Sequence, residues 1–515
     1  MEVAATETHG GAGGGDEGDK SSVLSEVKKQ LRLACPLVAG CLLQYVVQMV
    51  SVMFVGHLGK VELAGAAVAT SFAGVTGFSL LVNIPYCPSL TRTKCLRSLS
   101  CHRTDSARRT ARRPCQTGMA CSLDTLCGQA FGAGQHHLLG VYKQRAMLVL
   151  TLVSVPVAAA WAFAGEALAR CGQDPEVAAA AGRYIRCLIP ALFMFGPLQC
   201  HARFLQTQNA VVPAMLSSGA AAVAHPAVCW LLVRRLGLGS RGAALANGVS
   251  YLANLSFLAL YVRLSPSCKT TWQGFSREAL RGITGFLKLA VPSALMVCME
   301  WWTFELLLLI SGLLPNPQLE AAVLSICFNT NSLAFMVATG LGTAVSTRVS
   351  NELGAGRPQA ARLAARVVRF LAVCIGVSEG LVVVLVRSIW GHAYSNDKEV
   401  TKYTTRMMPL VAASVMLDCQ QSALSGVVRG CGEQKIGASI NLAAYYLAGI
   451  PAAVIFAFIC HLGGMGLWLG LLCGLVVQIF LLLSITLRIN WDKEALKAND
   501  RVSISTLPIV MTSIN

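Results

Sequence analysis

The stretch Cys298–Gly312 reads CMEWWTFELLLLISG, an apolar run carrying two carboxylates, Glu300 and Glu305. A third acid, Asp418, stands in the comparably apolar stretch PLVAASVMLDCQQSALSG. An ionised carboxylate held away from water is costly, so each must line a wet cavity, find a partner or take up a proton. The last option is chemistry, because an acid that exchanges its charge for a proton can bias a conformational change. Glu300 and Glu305 are five residues apart, about 140° around a helix, and cannot point the same way. Glu300 is therefore assigned to a cavity with Asp418 as its companion, and Glu305 to a partner or helix-contact role. The competing reading is a carboxylate hydrogen-bonded between helices with no further role.

Other polar or aromatic groups in apolar surroundings form the rest of the candidate site. Trp301 and Trp302 sit in mid-run rather than at a membrane interface, and suit either a wall that meets flat or cationic molecules or plain core packing. Asn329 and Asn331 lie about 200° apart on a helix, so at most one faces a given cavity. Gln420 and Gln421 stand beside Asp418. His225 precedes Pro226 and is read as covering a break in backbone bonding, and Glu379 is left open between structure and function.

The elements that must position these groups follow from composition. Of 515 residues 54% are hydrophobic and 13% charged, which is a membrane protein's balance. Apolar runs of about 20 residues, enough to cross a bilayer, recur near 32–55, 63–81, 146–165, 184–206, 211–233, 242–263, 286–314, 320–345, 367–388, 404–427, 436–460 and 464–487. The expected fold is an all-α integral membrane protein of about twelve transmembrane helices. An even number puts both ends on one side, and the excess of Lys and Arg there makes that side cytosolic. The net charge of +17 thus reports topology and not nucleic-acid binding. Most of the 20 cysteines fall in apolar spans, where they act as small hydrophobes. Metal-ligand spacing, phosphate loops and nucleophile–base pairs are absent from the sequence, so no metal, cofactor or enzymatic activity is expected.

Self-comparison divides the chain in two. LACP (Leu33–Pro36) matches LAVP (Leu289–Pro292), and RYIRCLIP ending at Pro190 matches KYTTRMMP ending at Pro409. FGAG (Phe131–Gly134) matches LGAG (Leu353–Gly356), and GSRGAAL (Gly239–Leu245) matches GGMGLWL (Gly463–Leu469). The expected organisation is a disordered cytosolic tail over 1–30, a six-helix lobe over 31–263, a cytosolic linker over 264–285, a second six-helix lobe over 286–490 and a cytosolic tail over 491–515. Matched prolines, Pro36 with Pro292 and Pro190 with Pro409, would let the helices bend. Through the same offsets Glu300 falls on Gln44, Glu305 on Met49 and Asp418 on Gln199. Amides hydrogen-bond but do not titrate, so only the second lobe carries a proton-linked charge here. Gln44 and Gln199 join the candidate cavity residues.

The first lobe holds a surplus segment, Val82–Thr117, with eight Lys/Arg, four Cys and three Pro and without helical periodicity. It reads either as a translated intervening sequence or as a regulatory cytosolic loop.

Several pieces resemble the multidrug and toxic compound extrusion (MATE) transporters, in particular their plant branch: SVMFVGHLG (Ser51–Gly59), LDTLCGQAFGAG (Leu123–Gly134), FLQTQ (Phe204–Gln208), MEWWTFELLLLISGLLPNP (Met299–Pro317), STRVSNELGAG (Ser346–Gly356) and SGVVRGCGEQKIGASINL (Ser425–Leu442). The resemblance spans about residues 30 to 490. It implies a two-lobed antiporter that exports organic cations, flavonoids, alkaloids or xenobiotics in exchange for protons, with acidic residues of the seventh and tenth helices engaged in coupling. At the matching positions stand Glu300, Glu305 and Asp418. Val82–Thr117 departs from the family pattern. The expected partners are a small organic molecule, protons as counter-ion and the lipid bilayer of a vacuolar or plasma membrane, for a monomer. The alternatives are a non-transporting or regulatory isoform disabled by the insert, and a passive facilitator that moves no counter-ion.

Overall fold

The computed structural model describes residues 14–76, 115–170, 172, 174–394 and 397–506. Of the surplus segment, residues 82–114 lie outside the described residues, as do 77–81 at the end of the second expected span. Helices account for nearly all that is described, and no strand occurs among the described residues. In chain order they are α1 (Gly14–Gly56), α2 (Lys60–Thr76), α3 (Cys115–Ala120), α4 (Ser122–Gly132), α5 (His136–Ala162), α6 (Ala164–Arg170), α7 (Pro175–Thr207), α8 (Val212–Cys229, continued by a π-helical turn to Arg235) and α9 (Gly239–Leu264). After the linker come α10 (Ile283–Ser311), α11 (Pro317–Gly354), α12 (Pro358–Trp390), α13 (Lys398–Cys431), α14 (Gln434–Asn441), α15 (Ile450–Val454), α16 (Gly463–Arg488) and α17 (Trp491–Thr506).

Ten of the described helical segments are long and apolar enough to cross a membrane. Two expected spans fall outside that set for different reasons. α2 has 17 residues and stops where the described chain stops. α13, with 34 residues, is long enough but polar, because it is packed inside the bundle and presents Asp418, Gln421, Ser422 and Ser425 to protein rather than to lipid. Large apolar side chains such as Val223, Leu260, Leu381 and Phe480 are exposed along the spans, where only hydrocarbon would satisfy them.

The first helix begins at Gly14, inside the stretch that the sequence alone assigns to a disordered tail. Polar contacts explain the difference. Glu26 accepts two bonds from Arg348, at 3.1 and 2.9 Å, and Gln30 donates to the carbonyl of Ala364 at 2.7 Å. The C-terminal α17 is similarly docked, with Trp491, Ala495 and Ala498 in the apolar cluster formed by α11, α12 and α13.

The linker is tied to α5. Gln144 Nε2 donates to the Gly274 carbonyl at 2.6 Å, the Ser276 amide donates to Gln144 Oε1 at 2.8 Å, and Arg145 Nε donates to the Ala279 carbonyl at 3.3 Å. The buried Lys143 places its ammonium 3.8 Å from the ring centre of Trp272. Gly282 then enters α10 with φ of 70°, a left-handed conformation that favours glycine.

At one end of the bundle the repeated FGAG and LGAG segments meet. A methyl group on Gly132 would collide with the Asn351 carbonyl, and one on Gly354 with the Gln129 carbonyl, so this contact requires glycine on both faces. Around it Gln206 Nε2 donates to Thr347 Oγ1 at 2.9 Å, Asn351 Nδ2 to the Thr207 carbonyl at 3.1 Å, and Thr125 Oγ1 to the Arg429 carbonyl at 2.5 Å. Arg501 from α17 spans the same seam, donating to Gln129 Oε1 at 3.2 Å and to the Cys431 carbonyl at 2.9 Å.

Candidate functional site

Above that closed seam lies a cavity of ≈ 220 Å³ walled by α1, α7, α8, α9, α10, α11 and α13. Its apolar wall includes Tyr45, Met296, Trp301 and Phe335. Trp301 meets the Phe335 ring edge-on, at 5.8 Å between centroids. Among the described lining residues Glu300 is the one carboxylate, and Arg203 and Arg429 are the cations.

Glu300 is buried on α10 and accepts from Gln421 Nε2 at 3.1 Å. Asp418, one turn earlier on α13 than Gln421, is 2% exposed and does not line the cavity, so it sits in the wall behind it. Its Oδ2 accepts from Asn331 Nδ2 at 2.8 Å, and Asn331 Oδ1 in turn accepts from Ser414 Oγ at 2.9 Å. The charges of Asp418 and Glu300 are close enough to act on each other, and Arg429 acts on Glu300 with the opposite sign. Tyr445 is buried and donates to Gln478 Oε1 at 2.8 Å.

The expected site is therefore only partly assembled at the cavity. Glu300, Trp301, Gln44 and Gln199 line it, with Gln44 donating to Ser218 Oγ at 3.2 Å. Glu305 is half-buried and away from it, as its offset around α10 requires. Trp302, one residue from Trp301, packs instead against an apolar cluster whose members include Phe286 and Cys298. Gln420 points to α12, donating to the Arg369 carbonyl at 3.4 Å, whereas Gln421, about 100° further round, faces the cavity. Asn329 and Asn331 are buried outside the lining, Asn331 being committed to Asp418. His225 sits between Ser51 and Ser250, at 2.8 and 2.7 Å, and Glu379 accepts from Cys419 Sγ at 3.3 Å; neither is at the cavity.

Sequence reasoning misses the cations. Arg203 donates to Asp124 at 2.7 Å in an ion pair whose side chains are 8% and 0% exposed. A sequence reading spends basic residues on topology. The discriminating cue is position: Arg203 lies within an expected span, and Asp124 lies in the apolar LDTLCGQ segment. No group of three or more His, Cys, Asp or Glu able to hold a metal ion occurs among the described residues.

Comparison with known proteins agrees with this architecture. A family model described as MatE matches residues 36–87, 116–231 and 292–455, more than half of the chain. The Arabidopsis thaliana protein DETOXIFICATION 16 is 51% identical over 95% of this chain and 93% of its own length. DETOXIFICATION 17 from the same organism is 48% identical over 94% of each. The crystal structure of the eukaryotic MATE transporter AtDTX14 superimposes with a TM-score of 0.83 at 41% identity, over 93% of this chain and 100% of that one. A mutant of the Vibrio cholerae MATE transporter VcmN shares the fold at 14% identity with a TM-score of 0.75, over 92% of this chain and 100% of that one.

Proposed function

This chain belongs to the multidrug and toxic compound extrusion (MATE) family, and from that premise we propose that it exports small organic molecules from the cytosol in exchange for protons. As a member of the family it is a multi-pass membrane protein and a secondary transporter for efflux that binds small-molecule substrates, and it is not an enzyme. The exchange for protons, the substrate and the sidedness are the proposal. The observation that carries it is Glu300, the one carboxylate among the described residues that line the cavity.

The mechanism follows from competition. An ionised Glu300 attracts the cationic group of a substrate entering from the cytosol, in surroundings where water screens little. A proton arriving from the acidic side neutralises the carboxylate, weakens that attraction and releases the substrate; loss of the proton to the cytosol resets the site. Asp418, held by Asn331 in the wall behind, is the companion acid, a second group of like charge near Glu300. The two six-helix lobes rock about this site with both termini cytosolic, a sidedness supported by the bias of Lys and Arg to terminal-side loops. The substrates are xenobiotics or plant-type secondary metabolites such as flavonoids and alkaloids, a reading supported by the relatives' DETOXIFICATION names. The protein acts as a monomer in a vacuolar or plasma membrane.

The test is pH-gradient-driven movement of a fluorescent organic cation in proteoliposomes. Glu300→Gln keeps the bond with Gln421 but removes the titrating charge, and should abolish gradient-driven flux. Undiminished flux in that variant would take Glu300 out of the coupling mechanism.

A further inference from the structure

The cavity's charges are unevenly satisfied. Arg203 is neutralised by Asp124 at 2.7 Å. Arg429 makes no ion pair among the described residues, although the charges of Asp124 and Glu300 both reach it: its buried Nε lacks a hydrogen bond there, and its Nη1 meets Cys121 Sγ at 3.8 Å. It nevertheless lines the cavity together with Gln421 and Ser425 on the same face of α13. Gln421 marks the level of Glu300 through their 3.1 Å bond. Arg429 follows eight residues later, about 12 Å along the helix axis. One cavity thus holds a carboxylate at the level of Gln421 and a guanidinium carried about two turns further along α13, with Trp301 and Phe335 on its apolar wall.

We propose that Arg429 is an anion-recognition residue that binds the carboxylate of amphiphilic, zwitterionic substrates whose cationic group is held at Glu300. The chemistry favours a carboxylate because a guanidinium fork pairs with it bidentately, and an under-bonded guanidinium is the stronger recruiter. A substrate carrying only an anion would lack the group that competes with the proton at Glu300 and so would not be exchanged for it. A purely cationic one would leave Arg429 under-bonded. This inference rests on the antiporter reading only for the role of Glu300; recognition at Arg429 stands apart from coupling.

The test uses a matched pair of probes, a rhodamine methyl ester, which is a cation, and its free acid, a zwitterion. Equilibrium binding to the detergent-solubilised full-length chain is measured by fluorescence polarisation. The unaltered protein should bind the acid at least as tightly as the ester. Arg429→Gln should lower the acid-to-ester affinity ratio about tenfold or more, the scale of a charge-assisted hydrogen bond. Arg429→Lys, which keeps the charge without the fork, should recover part of that ratio. A structural role would weaken both probes alike and leave the ratio intact, which would overturn the proposal, as would a preference of the unaltered protein for the ester. Gradient-driven flux of the same probes is read separately. Its absence alongside the expected change in ratio would sink proton exchange while leaving Arg429's role standing.

Discussion

Gln421 donates its Nε2 to Glu300 Oε2 at 3.1 Å, joining α13 to α10 at the cavity wall, and the same nitrogen lies 3.3 Å from Ser425 Oγ. This amide donor to the carboxylate therefore comes from the helix that also carries Asp418 and Arg429. Gln421→Leu removes the donor without adding charge. Flux driven by a pH gradient should fall about tenfold, as for loss of a hydrogen bond to a charged group. Flux equal to that of the unaltered protein would show that Glu300 does not depend on this contact.

The Arg203–Asp124 pair is buried on both sides. Removing one partner strands a charge, so Arg203→Met should destabilise the protein by about 3–5 kcal/mol. Adding Asp124→Asn should restore part of the loss. Thermal unfolding in detergent across the four proteins of the double-mutant cycle measures the coupling, and additive losses would mean that the pair is not coupled.

At the seam, Gly354→Ala drives a methyl group against the backbone carbonyl of Gln129, which has no flexible end to yield. The expected cost of overpacking is about 1–3 kcal/mol, expressed as a parted seam. Cys431, buried beside the Arg501 contact, should then be labelled faster by a maleimide, as followed by peptide mass spectrometry. An unchanged labelling rate would show that the seam absorbs the methyl group.

Lys497 binds Glu433 and Glu494, each at 2.7 Å, and these bonds, that to Glu433 first, hold its ammonium above the usual lysine range. A raised lysine contributes stability that is complete below the unfolded value of about 10.4 and is lost as pH rises through the folded one. The side chain is 40% exposed, so the contribution is screened to about 0.5 kcal/mol. Lys497→Met should lower the melting temperature slightly at pH 8, and the difference should close at strongly alkaline pH. A difference that persists there would assign the effect to packing of α17.

The family match stops at residue 87 and resumes at 116, bracketing most of the surplus segment. Immediately after it, Gly118 packs against the backbone of Ala294 on α10. A protein lacking Val82–Thr117 should transport an organic cation in proteoliposomes faster than the full chain. Equal rates would make the segment a tolerated loop.

The all-helical fold is legible because apolar runs of membrane length need only counting, and α13 is counted despite its polar residues because Pro409–Leu417 is itself apolar. The site is legible where helix geometry alone decides. Glu300 and Trp301 reach the cavity, and the angular offset of Glu305 keeps it away. One-residue choices are not legible: the sequence points to Gln420 where Gln421 faces inward, and Trp302 belongs to the core. Such choices depend on the rotation of each helix about its axis, which packing sets and hydropathy does not encode. Arg429 and the Arg203–Asp124 pair escape a sequence reading because a basic residue near a span end serves topology equally well.

The seam between the FGAG and LGAG segments is built of glycine against backbone. What fastens them, among the described residues, is a handful of exchangeable hydrogen bonds together with the guanidinium of Arg501. Because Arg501 belongs to α17 and is absent from the cavity lining, the C-terminal helix helps to hold this end of the bundle shut at a distance from the residues that select the cargo.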